Sequence, residues 1–400
     1  MSILSIGLLY GGATLLVMFI GMPIAFALGA VATVFMIVFM PRGSVDTITQ
    51  NVYEEMASIT LLSIPLFILK GAAIGSAGIP EMRKHGYSGA FASGIIAAGG
   101  TLGILLPPSI TMILYAVAAE QSLGRLFLAA IGPALLLVTL FAGYAMWRFR
   151  REYALAKAEY YRSGTDSELL RVDTRTVYDK FALLPRVLPF VILLTGVMVA
   201  LYGGYATPSE TAGLGAVLAL LLIALVYSVW TPHDLQPILV ATLRESTMLM
   251  LIIGMSLLYS YVMSYLHISQ STAQWIVSLE LSRWVLLAAI LLMVVVLGFF
   301  LPPVSIILMT APIILPPLKA AGFDLVWFGV IMTIVMEMGL IHPPVGLNLF
   351  VIKNIAPDIP LRDVVWGVMP FVALMVLAVL ILCLFPEIAT WFADAVMGAR

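Results

Sequence analysis

Two segments of this sequence carry glycine and paired proline inside long apolar runs, a combination that frees backbone oxygens within a membrane-spanning helix. Proline removes an amide donor and clashes with the preceding turn, so a Pro-Pro pair stops a helix. Freed carbonyl oxygens near the middle of a bilayer can hold a cation or a polar solute. The candidate ion- and substrate-binding residues are Gly100, Thr101, Gly103, Pro107, Pro108 and Ser109 in the first segment, and Gly339, His342, Pro343, Pro344, Gly346 and Asn348 in the second.

An internal repeat relates the two interrupted segments. Pro80 aligns with Pro316 and Pro107 aligns with Pro343, so equivalent residues lie 236 positions apart without a gap. Gly/Pro-interrupted segments in equivalent positions of two halves are typical of secondary transporters, whose unwound backbone binds ions and substrate near the midplane. A kink that only shapes helix packing is the alternative for each break.

A third interruption precedes the second copy of the repeat. Gly298, Pro302 and Ser305 lie in an apolar run that ends near Lys319. A Pro-Pro pair within this run predicts a re-entrant hairpin over 298–319, which a membrane tolerates only where protein surrounds it. These three residues join the candidate binding set.

The elements that carry these residues must be helices in a lipid bilayer. Hydrophobic residues make up 62% of the chain and charged residues 10%, whereas soluble domains carry roughly a quarter charged residues. Backbone groups in lipid must be paired within helices, since water is absent there. We predict an all-α polytopic membrane protein with about eleven transmembrane helices, at 3–20, 22–40, 58–77, 88–120, 123–147, 186–203, 209–230, 246–266, 282–300, 325–353 and 364–385.

The distribution of basic residues predicts which loops face the cytoplasm. Nine of the 20 lysine and arginine residues lie between Arg148 and Arg186, and cytoplasmic loops collect such residues. This connector and the loop at Arg83 should therefore share the cytoplasmic side. Six predicted crossings between Gly86 and Gly322 would place both glycines on one side, yet the unequal charge of their loops favours an inverted repeat. We therefore expect that one predicted span does not cross.

The predicted organisation has three parts. A first repeat covers 1–147 and a cytoplasmic connector covers 148–186. The second repeat covers 187–400 and contains the hairpin at 298–319, a broken helix at 325–353 and a last helix at 364–385.

Five motifs along the chain are similar to those of a known family. They are SIPLFIL (63–69), MRKHGY (82–87), GTLGILLPPSI (100–110), TPSE (207–210) and PPVGLNLF (343–350). Together they resemble the DctM-type large permease subunit of TRAP, or tripartite ATP-independent periplasmic, transporters. The resemblance covers essentially the whole chain.

This resemblance implies an elevator-type symporter that imports a small carboxylate solute with sodium. The solute would be a C4-dicarboxylate, sialic acid or a similar organic acid. Backbone carbonyls near Gly103 and Gly339 would hold sodium at hairpin–helix junctions, with no cofactor besides this coupling ion. Two partners are implied, a small four-helix DctQ-type membrane subunit and a DctP-type periplasmic solute-binding protein. The implied location is the bacterial inner membrane, crossed many times.

The sequence departs from the family pattern in several places. A helix and the first hairpin, expected between about Gly78 and Glu81, are absent, so either the natural protein carries a stretch that this sequence omits or the chain has lost one sodium site. Pro302 stands where the family usually has an acid, Val335 where it has asparagine, and His342 where it has threonine. These changes leave the ion stoichiometry open.

Other functions are weighed against transport with a binding protein. A symporter of related fold that needs no binding protein is the nearest alternative, and a channel is a remote one. No enzyme is expected, because the sequence contains neither a His-Glu-x-x-His nor a Gly-x-Ser-x-Gly motif. Glu210 is either a helix cap, which the sequence favours, or a ligand, whereas Glu337 is left open between a structural pair and a site residue. His342 either donates a hydrogen bond to a freed carbonyl or responds to pH.

Overall fold

A computed structural model gives the fold for most of the chain. It describes residues 2–41, 44, 79, 82–107, 109–164, 168–170, 184–203, 205–227, 231–279, 282–299, 301, 303–343, 346, 348–349, 352–353 and 356–398. Within these ranges every regular element is a helix. The predicted all-α class is therefore confirmed. The predicted span at 58–77 and the region of the missing first hairpin lie outside the described residues.

Most helices coincide with predicted spans, but the helix predicted at 123–147 continues to Ser163, into the predicted connector, and the helix predicted at 246–266 begins at Pro232. The first half contains α1 (Ile3–Phe19), α2 (Ile24–Phe39), α3 (Gly89–Leu105), α4 (Ile110–Ala118) and α5 (Leu123–Ser163), followed by a single 3₁₀ turn (Glu168–Leu170). The second contains α6 (Leu184–Tyr202), α7 (Pro208–Tyr227), α8 (Pro232–Tyr265), α9 (Ile268–Ser278), α10 (Arg283–Gly298), α11 (Pro303–Ala320), α12 (Leu325–Ile341), α13 (Leu361–Leu384) and α14 (Glu387–Met397). Among the described residues, four helices are long and apolar enough to cross a bilayer alone, and the bent pair α3–α4 makes a fifth. The remaining apolar helices are shorter than a full crossing.

The internal repeat is reproduced residue by residue. Helices α3 and α12 begin and end 236 positions apart, and their N-caps, Ser88 and Asp324, keep the same offset. The turns before them are also equivalent, since Gly86 and Gly322 adopt φ angles of 82° and 79°. Only glycine enters this left-handed region without strain. The repeat alignment made from sequence is confirmed.

The two copies run in opposite directions through the molecule. The Tyr115 hydroxyl on α4, beyond the first break, donates to the Leu325 carbonyl at the start of α12, at 2.7 Å. At the other side, Arg83 before α3 forms an ion pair with Asp358, which follows the second break. Since α3 starts where the second copy finishes its crossing, the repeat is inverted.

The charged loops lie together on one side, as the basic residues predicted. The Glu152 carboxylate, on the far end of α5, accepts hydrogen bonds from the Ser88 hydroxyl at 2.6 Å and from the Ser88 backbone amide at 3.3 Å. Arg148 donates to the same carboxylate at 3.1 Å. The start of α3 is therefore held against the basic end of α5.

Helices α10 and α11 form the re-entrant hairpin. Trp284, at the beginning of α10, lies with its ring centroid 5.7 Å from that of Phe323, just after α11. Both ends of the pair therefore lie on the same side, and the segment at 282–300 does not cross. The two helical arms are 283–298 and 303–320, so the first arm begins before the predicted 298–319; Phe299 and Leu301 are the described residues between the arms. Five of the six predicted crossings between Gly86 and Gly322 then remain. An odd number places these two glycines on opposite sides, as an inverted repeat requires.

Helix α12 lies at the centre of the packed core. All its residues from Val326 to Ile341 are buried, and α3, α4, α5, α10, α11, α13 and α14 pack against it. Close contact between α3 and α13 depends on glycine, because a side chain on Gly94 would clash with the Gly367 carbonyl. The interruptions predicted from sequence thus belong to one packed unit.

Candidate functional site

The first break separates α3 from α4. Helix α3 ends at Leu105, α4 starts at Ile110, and the two axes are bent by 44°. Pro107 is buried in the break, and Pro108 lies outside the described residues. The Ser109 hydroxyl caps α4 by accepting from the Met112 amide at 3.4 Å and lies 2.8 Å from the Thr111 hydroxyl. The start of α4 therefore presents backbone amides and hydroxyls at the break.

The last two turns of α3 leave one face open. A side chain on Gly100 or Gly103 would meet no described atom within 4 Å. Between them, the buried Thr101 hydroxyl donates to the Ala98 carbonyl at 2.8 Å, so this hydroxyl is already used inside the helix. The last carbonyls of a helix lack partners within it. At the end of α3 the Leu102 carbonyl still accepts from the Leu106 amide at 3.1 Å, which leaves the Gly103, Ile104 and Leu105 carbonyls beyond the helical hydrogen-bond ladder.

The second break has the same local geometry. Helix α12 ends at Ile341, and His342 is extended, with φ −91° and ψ 134°, close to the −75° and 132° of Leu106 at the first break. Gly346 adopts a φ of 52°, which favours glycine. Asn348 is half-buried in the short helical piece that follows, and Pro344 lies outside the described residues.

The hairpin tip packs against the end of α12, at the second break. A side chain on Gly339 would lie 2.8 Å from the Cα atom of Gly298, so the two backbones touch directly. One residue further, the Phe299 ring stacks on the His342 ring with centroids 5.1 Å apart and an interplanar angle of 18°. Nδ1 of His342 also contacts the Pro343 carbonyl oxygen. These contacts place Gly298, Gly339 and His342 next to one another. Such proximity is necessary if the three residues belong to one binding site.

The helices that flank the two breaks pack against one another. Helix α3 packs against α12, and α4 packs against both α11 and α12. Of the remaining predicted residues, Pro302 lies outside the described residues, and Ser305 is buried on the first turn of α11. The Ser305 hydroxyl has no hydrogen-bond partner among the described residues. The candidate residues that the structure describes therefore lie on α3, α4, α10, α11 and α12, at the ends of these helices, or in the segment that follows α12.

Comparison with known proteins decides the family. The family described as "Tripartite ATP-independent periplasmic transporter, DctM component" matches residues 70–388. This chain belongs to the DctM family. It is a multi-pass membrane protein of the large-permease type.

Curated relatives extend the match. The chain is 34% identical over 320 residues to the C4-dicarboxylate TRAP transporter large permease protein DctM of Pseudomonas aeruginosa, covering 80% of this chain and 71% of that protein. It is 27% identical over 441 aligned residues to the protein of the same name from Rhodobacter capsulatus, covering 94% and 96%. That alignment is longer than the 400 residues of this chain, so the relative carries residues with no counterpart here.

A solved structure has the same overall fold. The YdaH transporter of Alcanivorax borkumensis superposes with a TM-score of 0.53 at 12% identity and covers 97% of this chain and 98% of its own. Because the identity is low, the likeness concerns the fold alone.

One buried acid of this DctM-family permease was not in the predicted binding set. Glu337 is 1% exposed, and neither carboxylate oxygen has a hydrogen-bond partner among the described residues. The sequence signal was an acid within an apolar helix, which is costly unless the group faces protein or water. The structure shows that the helix is buried all round, which the sequence did not.

Glu210, by contrast, has the predicted structural role. Its carboxylate accepts from the Thr207 amide and from the Thr207 hydroxyl, both at 2.8 Å, while the Glu210 amide donates to that hydroxyl at 3.4 Å. This reciprocal arrangement is a capping box at the start of α7.

Proposed function

We propose that this DctM-family chain is the subunit through which a sodium-coupled TRAP transporter moves a small carboxylate solute across the bacterial inner membrane. The observation that carries the proposal is the inverted pair of broken helices with a re-entrant hairpin tip seated on one break. Unwound backbone at equivalent depth in two inverted halves is the arrangement in which secondary transporters bind ions and solutes.

The chemistry of the breaks supports a cation together with an anion. Carbonyl oxygens at the ends of α3 and α12 carry partial negative charge, whereas the amides at the start of α4 carry partial positive charge. A hard cation such as sodium prefers oxygen ligands, and a carboxylate prefers a helix N-terminus. Within the described residues no cluster of three or more His, Cys, Asp or Glu side chains forms a metal site, and the donors that remain suit a weakly held coupling ion.

The packing supports movement of one helix group against another. Helices α1, α2, α8 and α9 contact one another, and α8 and α9 meet the site-bearing group mainly through α11. An apolar cavity of about 570 Å³ lies between the two groups and is lined by Met22, Leu251 and Leu301, among others. This cavity leaves part of the boundary unfilled, and movement of the hairpin and broken helices as one body, which an elevator mechanism needs, would take place along it.

Family membership and the names of the relatives support the substrate class and the partners of this proposal. The Pseudomonas and Rhodobacter relatives are named C4-dicarboxylate permeases, so succinate, fumarate and malate are the first compounds to test. As a TRAP permease, the chain would work with a small DctQ-type subunit and a DctP-type periplasmic binding protein.

A transport assay tests the proposal. The chain and its small subunit are reconstituted in liposomes, the binding protein is added outside, and uptake of labelled dicarboxylates, sialic acid and uncharged sugars is followed with sodium or potassium outside. We expect saturable uptake of one carboxylate with sodium only. Uptake that is equal in potassium would refute sodium coupling, and uptake of sugars but no carboxylate would refute the substrate class.

A further inference from the structure

Ser260 on α8 makes a hydrogen bond that leaves its own helix. Its hydroxyl donates to the Leu308 carbonyl on the hairpin arm α11 at 3.1 Å. A serine within a helix commonly donates to the carbonyl four residues earlier, and Ser256, one turn before Ser260, does so with Ile252 at 2.7 Å. The Ser260 bond therefore joins two helices, whereas the Ser256 bond stays within one.

The Leu308 carbonyl is available because a proline follows it by four residues. Pro312 lies inside α11, and proline has no amide hydrogen to donate to that carbonyl. A carbonyl left unpaired away from water is costly, and Leu308 is buried. The Ser260 hydroxyl thus supplies, from α8, the partner that α11 cannot supply itself.

The neighbour of Ser260 in the chain fixes this part of α8 to α1. The Tyr259 ring stacks on the Tyr10 ring with centroids 4.2 Å apart, and the Tyr10 hydroxyl donates to the Tyr259 carbonyl at 3.2 Å. The Thr14 hydroxyl lies 3.2 Å from the Tyr259 hydroxyl. Because Tyr10, Thr14 and Tyr259 are all buried, Ser260 is held by the helices that stay behind when the hairpin moves.

Leu308 belongs to the group of helices that carries the breaks. Helix α11 packs against α4, α10 and α12. In the proposed elevator movement these helices shift past α1 and α8, and a hydrogen bond is lost once its donor and acceptor separate beyond about 3.5 Å. The bond between Ser260 and Leu308 therefore has to break during the movement.

We propose that Ser260 is a positioning residue for transport, whose bond to Leu308 favours the state seen in this structure over the state reached after the movement. This inference rests on the proposed elevator mechanism and names a contact that the mechanism must break. Loss of one hydrogen bond between membrane helices should change the ratio of the two states about two- to tenfold.

Distance measurements between two spin labels test the inference. The labels are placed at Tyr265→Cys on α8 and at Leu361→Cys on α13, which packs against α3 and α12; both positions are exposed. The full chain with its small subunit is used, and its single cysteine, Cys383, is replaced by serine. We expect Ser260→Ala to lower the population at the distance of this structure about two- to tenfold relative to the second population. Ser256→Ala, which removes a bond within α8 only, is the matched control and should leave the ratio unchanged.

A substitution on the other side of the bond tests its chemistry. Pro312→Ala gives α11 an amide that can donate to the Leu308 carbonyl, so this carbonyl keeps a partner after the movement. We expect Pro312→Ala to shift the populations in the same direction as Ser260→Ala, and the double variant to shift them by less than the product of the two single effects. Ser260→Thr keeps the hydroxyl and should retain the wild-type ratio.

The outcomes separate this inference from the proposed function. If two distances are seen, an unchanged ratio in Ser260→Ala or an equal change in Ser256→Ala overturns the role of Ser260 and leaves the elevator mechanism intact. A Ser260→Ala protein that loses thermal stability without any change in the ratio identifies a purely structural bond, and this too overturns the inference. If a single distance is seen with and without sodium and carboxylate, the elevator movement itself fails, and the role of Ser260 fails with it. If Ser260→Ala does not fold, Pro312→Ala decides: an unchanged ratio contradicts the inference.

Discussion

The contact between Gly298 and Gly339 makes the hairpin tip sensitive to a single methyl group. In Gly339→Ala the new Cβ would lie 2.8 Å from the Gly298 Cα, 2.9 Å from its carbonyl carbon and 3.0 Å from its oxygen. These are backbone atoms, so no side-chain rotation relieves the clash. The tip must move away from the second break.

The expected change in the stability of Gly339→Ala follows from two opposed effects. Overpacking a close-packed interior costs about 1–3 kcal/mol, while alanine favours a helix over glycine by about 1 kcal/mol. The net loss of stability should be up to about 2 kcal/mol. Displacement of the tip also opens the ion site, and we expect uptake to fall about tenfold or more, since 1.36 kcal/mol in the barrier is a factor of ten.

The assay compares Gly339→Ala with Gly143→Ala. Gly143 lies within α5, where an added Cβ meets no described atom within 4 Å, so this control should be as active as the wild type and equally or more stable. Thermal unfolding in detergent and uptake in liposomes are measured on both variants. A Gly339→Ala protein with wild-type stability and uptake would refute the close approach and the docked hairpin tip.

Three further substitutions test contacts at the starts of α3 and α12 and at the hairpin tip. Glu152→Ala removes the acceptor for Ser88 and should lower the free energy of unfolding by about 1–3 kcal/mol, whereas Glu159→Ala, exposed on the same helix, should change it little; equal effects would contradict the role of this contact. Asp324→Ala removes the N-cap of α12 and should cost about 0.5–2 kcal/mol, measured by thermal unfolding; no loss would argue against the cap. His342→Thr removes the ring stacked on the hairpin tip and should cost about 0.5–1.5 kcal/mol; unchanged unfolding would show that the stack does not hold the tip.

The breaks and most helices were predictable because their signals are local. Glycine, proline and apolar length act within a few residues, so the helix ends at Leu105 and Ile341 follow directly from the Pro-Pro pairs. The constant offset of 236 residues makes the two breaks equivalent in the sequence itself, because it aligns both Pro-Pro pairs. The N-caps Ser88 and Asp324 carry residue types that favour this position.

The features that the sequence did not predict depend on tertiary contacts. Helix α10 is apolar enough to resemble a crossing span, and composition cannot distinguish a re-entrant arm from a span; the contact between Trp284 and Phe323 does. The close approach of Gly298 to Gly339 depends on how two distant segments pack, which no local pattern encodes. The sequence marked Glu337 as costly in lipid, but burial on every side of α12 is a property of the assembled core.

The most direct test of the central claim is reconstituted uptake with one component omitted at a time. The account predicts saturable, sodium-driven uptake of a carboxylate only when this chain, its small membrane subunit and its periplasmic binding protein are all present. Loss of uptake on replacing sodium with potassium should equal the loss on omitting the binding protein. Saturable uptake by the purified chain alone would contradict the account and indicate a symporter that needs no binding protein.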